Sequence, residues 1–574
     1  MNYATLPQTS AQLALPAWRS RVLFVLLLLV MLALFARAVY LQGINNDFLQ
    51  QKGDARYARV IEVPAHRGMI TDRNGEPLAI STPVESVWAS PAEVEIDLRQ
   101  LMNLARALDM KPEALRDKLQ ARREFVYLKR QLPPEQARKV AALNIPGVSL
   151  QREYKRYYPA GEVTSHLLGF TDVDDNGREG IELALQDKLG GKPGSQRVIK
   201  DRRGQIIEDV ASLRAPKEGG DVALSIDSKL QFLAFREIKQ AVIDNKAKSG
   251  SIVVLDARSG EVLALANWPT YNPNNRKGAT LSVMRNRAVT DLFEPGSTMK
   301  AFAAAAVLEE GKYKPDTRID TGDGRMTING RTIHDTHPDG VMTVSQVIQK
   351  SSNVGAAKMA LSLTPQTFWG HLSEAGFGMR TGSGFPGEAS GILRDFKTWR
   401  PIEQATMSYG NGISVNLLQL ARAYTVFAND GELRPINMLR QVERTAGEPV
   451  YSIRTARAVR DMLELVVKPG GTAPLAQIRG YRVAGKTGTA HKLQNGRYVD
   501  EYVASFVGMA PASDPRLIVA VMVDEPSGAQ YYGGLVAAPV FQSVMSASLR
   551  ALDVPYDAPL NNVLQSAQLV EEET

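Results

Sequence analysis

The 574-residue sequence contains no cysteine. A chain without thiols cannot form disulfides, use a thiol nucleophile, or bind zinc or an iron–sulfur cluster through thiolates. It also lacks a His-Glu-x-x-His metalloprotease motif, and its GGTAPLAQIRG segment does not fit a phosphate-binding loop. The 46 Gly, 31 Pro and 22% charged residues are ordinary globular values, which exclude collagen-like and wholly disordered classes. At roughly 100–200 residues per domain, the length predicts two to four domains.

The sequence has one long apolar run, near its N-terminus. It extends from Val22 to Ala36, and it continues through Leu41 if Arg37 reaches the lipid headgroups. The resulting length of about 20 residues is enough to span a bilayer. A cleaved signal peptide is the alternative, but the arginine inside the Ala-Arg-Ala segment disfavours cleavage there.

Charge around this run predicts its orientation. No acidic residue precedes Asp47, whereas Arg19 and Arg21 lie directly before the run. The positive-inside rule therefore predicts a short cytoplasmic N-terminus at 1–21, a transmembrane anchor at 22–41 and an exported remainder. A single-pass, exported chain without cysteine fits the inner (cytoplasmic) membrane of bacteria, with the bulk of the protein in the periplasm.

The net charge of +7 raises the question of nucleic-acid binding. Residues 101–160 hold 13 Lys and Arg against six Asp and Glu, so this one segment accounts for the whole excess. Its basic and aromatic residues are interleaved, but they lie outside the cytoplasm in the predicted topology. A solvated face or a partner surface is therefore expected, and no nucleic-acid partner.

Patterns in the first half predict a β-rich pedestal domain at 42–220. Short β-like runs occur at 60–63 and 84–89, and Asn74-Gly75 favours a tight hairpin turn. Residues 98–145 show helical patterns. A Gly- and Pro-rich stretch at 190–221 precedes the predicted boundary.

Residues 221–555 have a different pattern, and residues 556–574 form a predicted tail whose end, Val570–Thr574, is acidic. A strand hairpin turns at Arg258-Ser259-Gly260, a long helical region runs from Ser297 to about residue 425, and three further strands precede a closing helix at 536–552. Strands at both ends with helices between them predict an α/β domain, with helices on both sides of one mainly antiparallel sheet.

A possible nucleophile lies in the segment Phe293-Glu294-Pro295-Gly296-Ser297-Thr298-Met299-Lys300. Pro-Gly precedes a strong helical run, which places Ser297 at a helix N-terminus, where backbone N–H groups favour a developing anion. Lys300 returns to the same face one turn later and can remove the serine proton. Ser-x-x-Lys alone is a weak signal, because helix capping plus a surface lysine explains most occurrences.

Two later motifs strengthen the signal. Ser351-Ser352-Asn353 lies at a break between helical segments, and Lys486-Thr487-Gly488-Thr489 lies in a predicted strand. These supply a hydroxyl to relay a proton, an amide to hold a substrate backbone, and a cationic strand end that binds a carboxylate. Gly488 allows close approach of a substrate backbone.

With this motif set the sequence resembles the penicillin-binding, active-site-serine acyltransferase superfamily. Within it, the resemblance is to class B penicillin-binding proteins of the septal FtsI type. The segments that carry it are RGMITDRNGEPLAIST (67–82), RYYPAGEVTSHLLGF (156–170), GREGIE (177–182), FEPGSTMKAF (293–302), SSNVG (351–355), SYGNG (408–412), AGKTGTA (484–490), YVASFVGMAP (502–511) and YYGGLVAAPVF (531–541).

The resemblance implies a dimerisation-like pedestal and a serine β-lactamase-like domain that cross-links peptidoglycan through an acyl-serine, without metal or cofactor. It implies Ser297 as nucleophile, Lys300 as general base and Ser351 as proton shuttle. The substrate-binding residues that it implies are Asn353 for the peptide amide and Lys486, Thr487, Gly488 and Thr489 for the terminal D-Ala carboxylate.

The resemblance also implies partners: stem peptides, β-lactams, an FtsW-type glycan polymerase and other division proteins at the septum. Two positions depart from the pattern, Ser352 in place of Asp and Asn411 in place of an aromatic residue. Ser352 argues against a class A β-lactamase. A D,D-carboxypeptidase or β-lactamase-type hydrolase, and a non-catalytic scaffold or β-lactam sensor, are the alternative functions.

Overall fold

The computed structural model describes residues 17–44, 58–120, 123, 125–200, 206–441, 443, 445–494 and 496–563. They divide into two compact units. The first contains the described residues up to Pro64, together with Val84–Glu153 and Pro193–Lys217. The second contains Ala65–Pro83, Tyr154–Lys192 and the described residues from Glu218 onward. The domain boundaries given above remain predictions; residues 1–16 and the acidic end at 570–574 lie outside the described residues.

The N-terminal helix, Ala17–Val39, is leucine-rich and contains neither Gly nor Pro; one π-helical turn, Tyr40–Ile44, follows it. The helix Trp18–Gln42 includes an 18-residue stretch with a mean hydropathy of 2.9 that is not buried, and the helix is long enough to cross a membrane. Arg19 lies over the Trp18 ring at 5.7 Å, and Arg37 lies over the Tyr40 ring at 5.6 Å. Such cation–ring pairs at the two ends suit the two membrane interfaces.

Beyond the N-terminal helix, the described residues of the first unit contribute strands to two sheets and form three helices. Its core includes Val87, Leu104, Leu115 and Leu128. The helices are Leu98–Ala107, Pro112–Leu119 and Pro134–Ala141. One sheet contains Ala58–Val63, Gly194–Lys200 and Ile206–Arg214. In the other, Pro77–Ala89 pairs with Val126–Leu132 and Val148–Tyr157; Pro77–Ala89 belongs to this unit from Val84 onward, and Val148–Tyr157 belongs to it up to Glu153.

The predicted helical pattern across 98–145 is wrong for Val126–Leu132, which is a strand paired antiparallel with the end of Pro77–Ala89. Leu128 and Leu132 are both buried. A spacing of four residues puts two side chains on one face of a helix, but also on one face of a strand. Pairing with a distant strand decides between the two.

The second unit is built around a five-stranded antiparallel sheet. The spatial order is Val262–Trp268, Ser249–Asp256, Leu517–Asp524, Arg497–Ala510 and Ala484–Gln494. The last, here called the Lys486 strand, lies at one edge. Every residue of Ser249–Asp256 is buried, so helices cover both faces of the sheet, as predicted.

The remaining elements of the second unit surround this sheet. The longer helices are Ser228–Asp244, Lys300–Glu309, Val344–Lys350, Asn353–Leu361, Pro365–Glu374, Pro401–Met407, Leu417–Ala423, Ile453–Val467 and Ala538–Ala551. The short helices are Ser165–Leu168, Gly180–Ala184, Gln186–Leu189, Leu281–Met284, Arg287–Thr290, Thr425–Ala428 and Gly533–Val536. Small strand pairs are Arg318–Asp320 with Val341–Thr343, Arg325–Ile328 with Arg331–His334, and Glu432–Leu433 with Glu448–Pro449; Ile70–Thr71 pairs with Pro77–Ala89 and with Val222–Ala223.

The predicted long helical region from Ser297 to about residue 425 is therefore wrong between Arg318 and Thr343, where four short strands lie. Asn329 and Gly330 have φ values of 50° and 80° between two of them. Left-handed Asn-Gly pairs form tight hairpin turns. The Asn329-Gly330 dipeptide is therefore the local sequence signal that favours a hairpin here over a continuous helix.

A buried ion cluster joins three of the segments that carry the family resemblance. Arg67 Nε and Arg156 Nε donate hydrogen bonds to the two carboxylate oxygens of Glu182 at 2.7 and 2.6 Å. The three side chains are at most 1% exposed. Burial raises the pKa of the neighbouring Asp175 to about 6, against the opposing effect of both guanidinium groups. Segments 67–82, 156–170 and 177–182 thus meet at one carboxylate.

Candidate active site

Ser297 lies in a 3-10 turn, Gly296–Met299, which leads directly into the helix Lys300–Glu309. Gly296 has a φ of +57°, in the region that favours glycine. Two hydrogen bonds fix the turn: Thr298 Oγ1 donates to the Pro295 carbonyl at 2.9 Å, and Tyr424 Oη donates to the Thr298 carbonyl at 2.8 Å. The Ser297 side chain is therefore held at the start of the helix, as the sequence predicts.

Lys300 connects this turn to the second motif. Its Nζ donates to Ser297 Oγ at 2.9 Å and to Ser351 Oγ at 3.0 Å, and it also contacts the Ser351 carbonyl. Lys486 Nζ donates to the same Ser351 Oγ at 3.0 Å. Lys300 and Lys486 are fully buried. One hydrogen-bonded chain thus runs from Ser297 through Lys300 and Ser351 to Lys486.

The position of Ser351 depends on an unusual backbone conformation. Ser351 is left-handed, with φ 64° and ψ 40°, at the end of the helix Val344–Lys350. Ser352 then caps the next helix, Asn353–Leu361, and its Oγ accepts a hydrogen bond from Gly355 N–H at 2.9 Å. A left-handed conformation is costly for a residue with a side chain. The break between the two helices is what directs the Ser351 hydroxyl to both lysines.

Asp335 holds the second motif in place, a role that no sequence motif indicates. Its carboxylate accepts hydrogen bonds from Ser352 Oγ at 2.6 Å, Asn353 N–H at 2.5 Å and Val354 N–H at 3.0 Å. The Asn353 side-chain amide donates to the His334 carbonyl at 3.1 Å. A carboxylate at a helix N-terminus also complements the helix dipole. Asp335 therefore determines where the helix that follows Ser351 begins.

The Lys486 strand presents the third motif. Thr487 Oγ1 accepts a hydrogen bond from Lys486 Nζ at 3.0 Å and shares another with Thr472 Oγ1 at 2.8 Å. Thr489 Oγ1 accepts one from Gly533 N–H at 3.0 Å. These contacts fix the rotamers of both hydroxyl side chains.

Gly488 lies against the turn that carries Ser297. A Cβ at this position would lie 2.7 Å from the Pro295 carbonyl oxygen and 2.5 Å from Ser505 Oγ. The backbone that approaches Gly488 closely in this structure is thus the protein's own, at Pro295. Any side chain here would separate the Lys486 strand from the Ser297 turn.

A further group at the rim, Glu294, was not expected from the sequence. Its carboxylate accepts hydrogen bonds from Tyr498 Oη at 3.0 Å and from Gly412 N–H at 2.8 Å. Burial raises the pKa of Glu294, and these two hydrogen bonds oppose the shift. Asn411, which departs from the family pattern, directly precedes Gly412. Glu294, which lies three residues before Ser297 in the sequence, therefore joins the SYGNG segment to the strand Arg497–Ala510.

The structure brings the predicted residues Ser297, Lys300, Ser351, Lys486 and Thr487 into one hydrogen-bonded network. Thr489 lies near the Ser297 turn, since a Cβ on Gly296 would be 3.3 Å from the Thr489 carbonyl oxygen. Asn353 lies beside this network with its amide on the His334 carbonyl. The placement agrees with the predicted set, and the chemical roles remain predictions.

Comparison with known proteins identifies the family. The penicillin-binding protein transpeptidase domain matches residues 250–546, and the penicillin-binding protein dimerisation domain matches residues 62–224. The chain is 44% identical to PenA of Neisseria meningitidis over 548 residues, covering 94% of each protein. It is 42% identical to the peptidoglycan D,D-transpeptidase FtsI of Escherichia coli over 550 residues, covering 94% of this chain and 93% of FtsI.

A solved structure shows the same fold for the part of this chain that it covers. The transpeptidase domain of Burkholderia pseudomallei penicillin-binding protein 3 is 47% identical, with a TM-score of 0.55, and covers 58% of this chain and 98% of that domain. Since the matched domains and the full-length similarity agree, the chain belongs to the penicillin-binding protein family, in the class B group that joins a dimerisation domain to a serine transpeptidase domain.

Proposed function

We propose that this protein is a membrane-anchored peptidoglycan D,D-transpeptidase that cross-links stem peptides through an acyl-Ser297 intermediate. The observation that carries the proposal is the chain of hydrogen bonds from Ser297 Oγ through Lys300 Nζ and Ser351 Oγ to Lys486 Nζ, at 2.9, 3.0 and 3.0 Å. A nucleophile, a base and a relay within hydrogen-bond reach of one another are what acyl transfer requires. β-Lactams would acylate the same serine.

In the first half-reaction, Lys300 takes the proton from Ser297 Oγ as the oxygen attacks the carbonyl carbon between the last two D-Ala residues. The backbone N–H groups of Ser297 and Thr489 would bind the developing oxyanion. Collapse breaks the peptide bond, and Ser351 passes a proton to the departing D-Ala amine while it receives one from Lys300. The products are the acyl-serine and free D-Ala.

Recognition of the donor peptide would use the Lys486 strand. Lys486, Thr487 and Thr489 would bind the terminal carboxylate, and Asn353 would bind the peptide amide. The strand lies at the edge of the sheet, so its backbone can pair with an extended peptide. Ser351 and Lys486 would thus link carboxylate binding to proton transfer.

In the second half-reaction, an amine of a neighbouring stem peptide attacks the acyl-serine, and Ser351 accepts its proton. The ester bond then breaks, Lys300 returns a proton to Ser297 Oγ, and the cross-linked peptide leaves. Water as the acceptor would make the enzyme a carboxypeptidase, or a β-lactamase if the acyl group came from a β-lactam. The pedestal match at 62–224 favours transpeptidation, and the intact hydrogen-bonded network disfavours a non-catalytic scaffold or sensor.

The test uses the full chain in detergent with a fluorescent penicillin, and then with a D-Ala thioester donor and a D-amino-acid acceptor. We expect one label per chain, on tryptic peptide 288–300 that contains Ser297, and product that rises with acceptor at the expense of hydrolysis. A label on another peptide would contradict the nucleophile assignment. Product that does not respond to acceptor would favour the hydrolase, and no labelling at all would favour the scaffold.

We further propose that the protein acts at the division septum of the inner membrane, with an FtsW-type glycan polymerase and other division proteins as partners. The apolar helix within Trp18–Gln42 and the similarity to FtsI support this role. Deleting residues 1–45 should abolish co-purification with the polymerase and leave penicillin labelling intact. A variant with an unrelated apolar helix in place of 17–39 keeps a membrane anchor. It therefore shows whether binding of the polymerase depends on the sequence of this helix or on membrane anchoring alone. Polymerase retained by the deletion variant would count against the proposal.

A further inference from the structure

The last described segment of the chain lies against residues 478–482, which lead directly into the Lys486 strand. Residues 478–482 form a tight turn, in which Ile478 and Tyr481 make an isolated β-bridge. The chain beyond the closing helix Ala538–Ala551 returns to this turn and contacts nearly every residue in it. Both stretches belong to the second unit.

Asn562 binds the turn with its whole side-chain amide. Its Oδ1 accepts a hydrogen bond from Gly480 N–H at 2.9 Å, and its Nδ2 donates to the carbonyls of Ile478 at 3.1 Å and Tyr481 at 2.9 Å. A single side chain therefore binds three backbone groups of the turn, where the Ile478 carbonyl also accepts a hydrogen bond from Tyr481 N–H at 3.1 Å.

Asp557 links the beginning of the Lys486 strand to the neighbouring strands. Its Oδ1 accepts a hydrogen bond from Arg482 N–H at 2.7 Å, and its Oδ2 accepts one from Ser513 Oγ at 2.7 Å. Ser513 lies in the connection between Arg497–Ala510 and Leu517–Asp524. One carboxylate thus fixes the start of the Lys486 strand relative to the sheet.

Backbone bonds and ring packing complete the contact. Asp557 N–H and Ala558 N–H both donate to the Gly480 carbonyl, at 3.2 and 3.1 Å, and Tyr481 Oη donates to the Val554 carbonyl at 2.6 Å. Gly480 has a φ of +83°, and a Cβ there would lie 2.6 Å from the Tyr556 ring. Glycine at 480 is required both by the turn and by the packing of Tyr556.

We propose that residues 554–562 are a C-terminal clasp that positions the Lys486 strand for acylation of Ser297, a role that rests on the function proposed above. Arg482, held by Asp557, precedes Lys486 by four residues. Lys486 Nζ in turn must remain 3.0 Å from Ser351 Oγ. An edge strand has sheet hydrogen bonds on one side alone. Contacts that hold the first residues of the Lys486 strand therefore limit its movement relative to the neighbouring strand. Asp557 and Asn562 are positioning residues, because they act through the strand.

The clasp predicts different effects for two truncations of the full chain. Ending the chain at Val563 keeps every contact described above, and we expect the acylation rate constant with fluorescent penicillin to be unchanged. Ending it at Asp553 removes the clasp, and we expect the rate constant to fall by about tenfold or more, since small misplacements of catalytic groups have effects of this size. Asn562→Ala should lower it several-fold, whereas Asn561→Ala, at the exposed neighbouring position, should not.

Hydrogen exchange separates positioning from general stability. In Asn562→Ala, amides of 484–490 should exchange faster while those of Ser249–Asp256 keep their protection, and a synthetic 554–563 peptide should restore the rate of the Asp553 truncation. Faster exchange across the whole sheet would overturn the proposal, as would unchanged acylation and exchange in both variants. Exchange at 484–490 is read without any reaction, so it tests the clasp even if Ser297 proves not to be the nucleophile.

Discussion

Replacing Lys300 with alanine should lower the second-order rate constant for acylation of Ser297 by penicillin by about 10³-fold, within the range that general bases contribute. Lys300 Nζ lies 2.9 Å from Ser297 Oγ. A serine hydroxyl is a weak nucleophile until a base removes its proton. The substitution also removes the connection between Ser297 and Ser351, so both the attack and the proton relay are affected.

Loss of volume must be separated from loss of the base. Lys300 is fully buried, so alanine leaves a cavity, whereas Lys300→Met keeps most of the volume and removes the amine. We expect both variants to lose acylation to a similar degree. Lys312→Ala, at an exposed position just beyond the same helix, should acylate like the wild type, and Ser297→Ala sets the background. The rate is measured by gel fluorescence over time, with the unfolding midpoint recorded for each variant.

If Lys300→Met acylates at a rate within tenfold of the wild type and its unfolding midpoint is unchanged, Lys300 is not the general base. Lys486 would then be the next group to test, since its Nζ lies 3.0 Å from Ser351 Oγ. The two lysines share one hydroxyl, so a double substitution should lose less than the sum of the two separate effects in free energy.

The sequence predicts where the candidate site residues lie in the fold because each motif combines a chemical group with a local structural signal. Pro295-Gly296 before a helical run placed Ser297 at a helix start, and the strand pattern around Lys486 placed it in the sheet. The antiparallel hairpin at 249–268 was predictable for the same reason: two apolar runs flank a turn that contains Gly260. Local pattern and final structure agree at these points.

Features that depend on distant parts of the chain could not be predicted. Asp335 lies 17 residues before Ser352, and Tyr498 lies 204 residues after Glu294, so no spacing rule connects these pairs. The strand Val126–Leu132 has the spacing of a helical face, and its partner strand ends 37 residues earlier in sequence. In each case a long-range hydrogen bond selects among conformations that the local sequence permits.

The largest expected loss of stability comes from Glu182→Ala. Its carboxylate accepts hydrogen bonds from Arg67 and Arg156 at 2.7 and 2.6 Å, and all three side chains are at most 1% exposed. Removing the carboxylate leaves two guanidinium groups buried without their counter-ion, which costs about 3–5 kcal/mol. For a unit of this size we expect the unfolding midpoint of the full chain to fall by about 5 °C. Asp187→Ala, at an exposed position five residues away, should change it little.

A triple variant tests whether the effect comes from unpaired charge. Replacing Arg67 and Arg156 with methionine and Glu182 with leucine removes all three charges and keeps most of the volume. Buried ion clusters exchanged for apolar side chains often retain stability, so the triple variant should unfold closer to the wild type than Glu182→Ala does. If it unfolds at the lower midpoint of Glu182→Ala instead, the hydrogen bonds of Arg67 to Gln186 and to the Asp175 carbonyl stabilise these segments, and Glu182 acts mainly by positioning the two arginines.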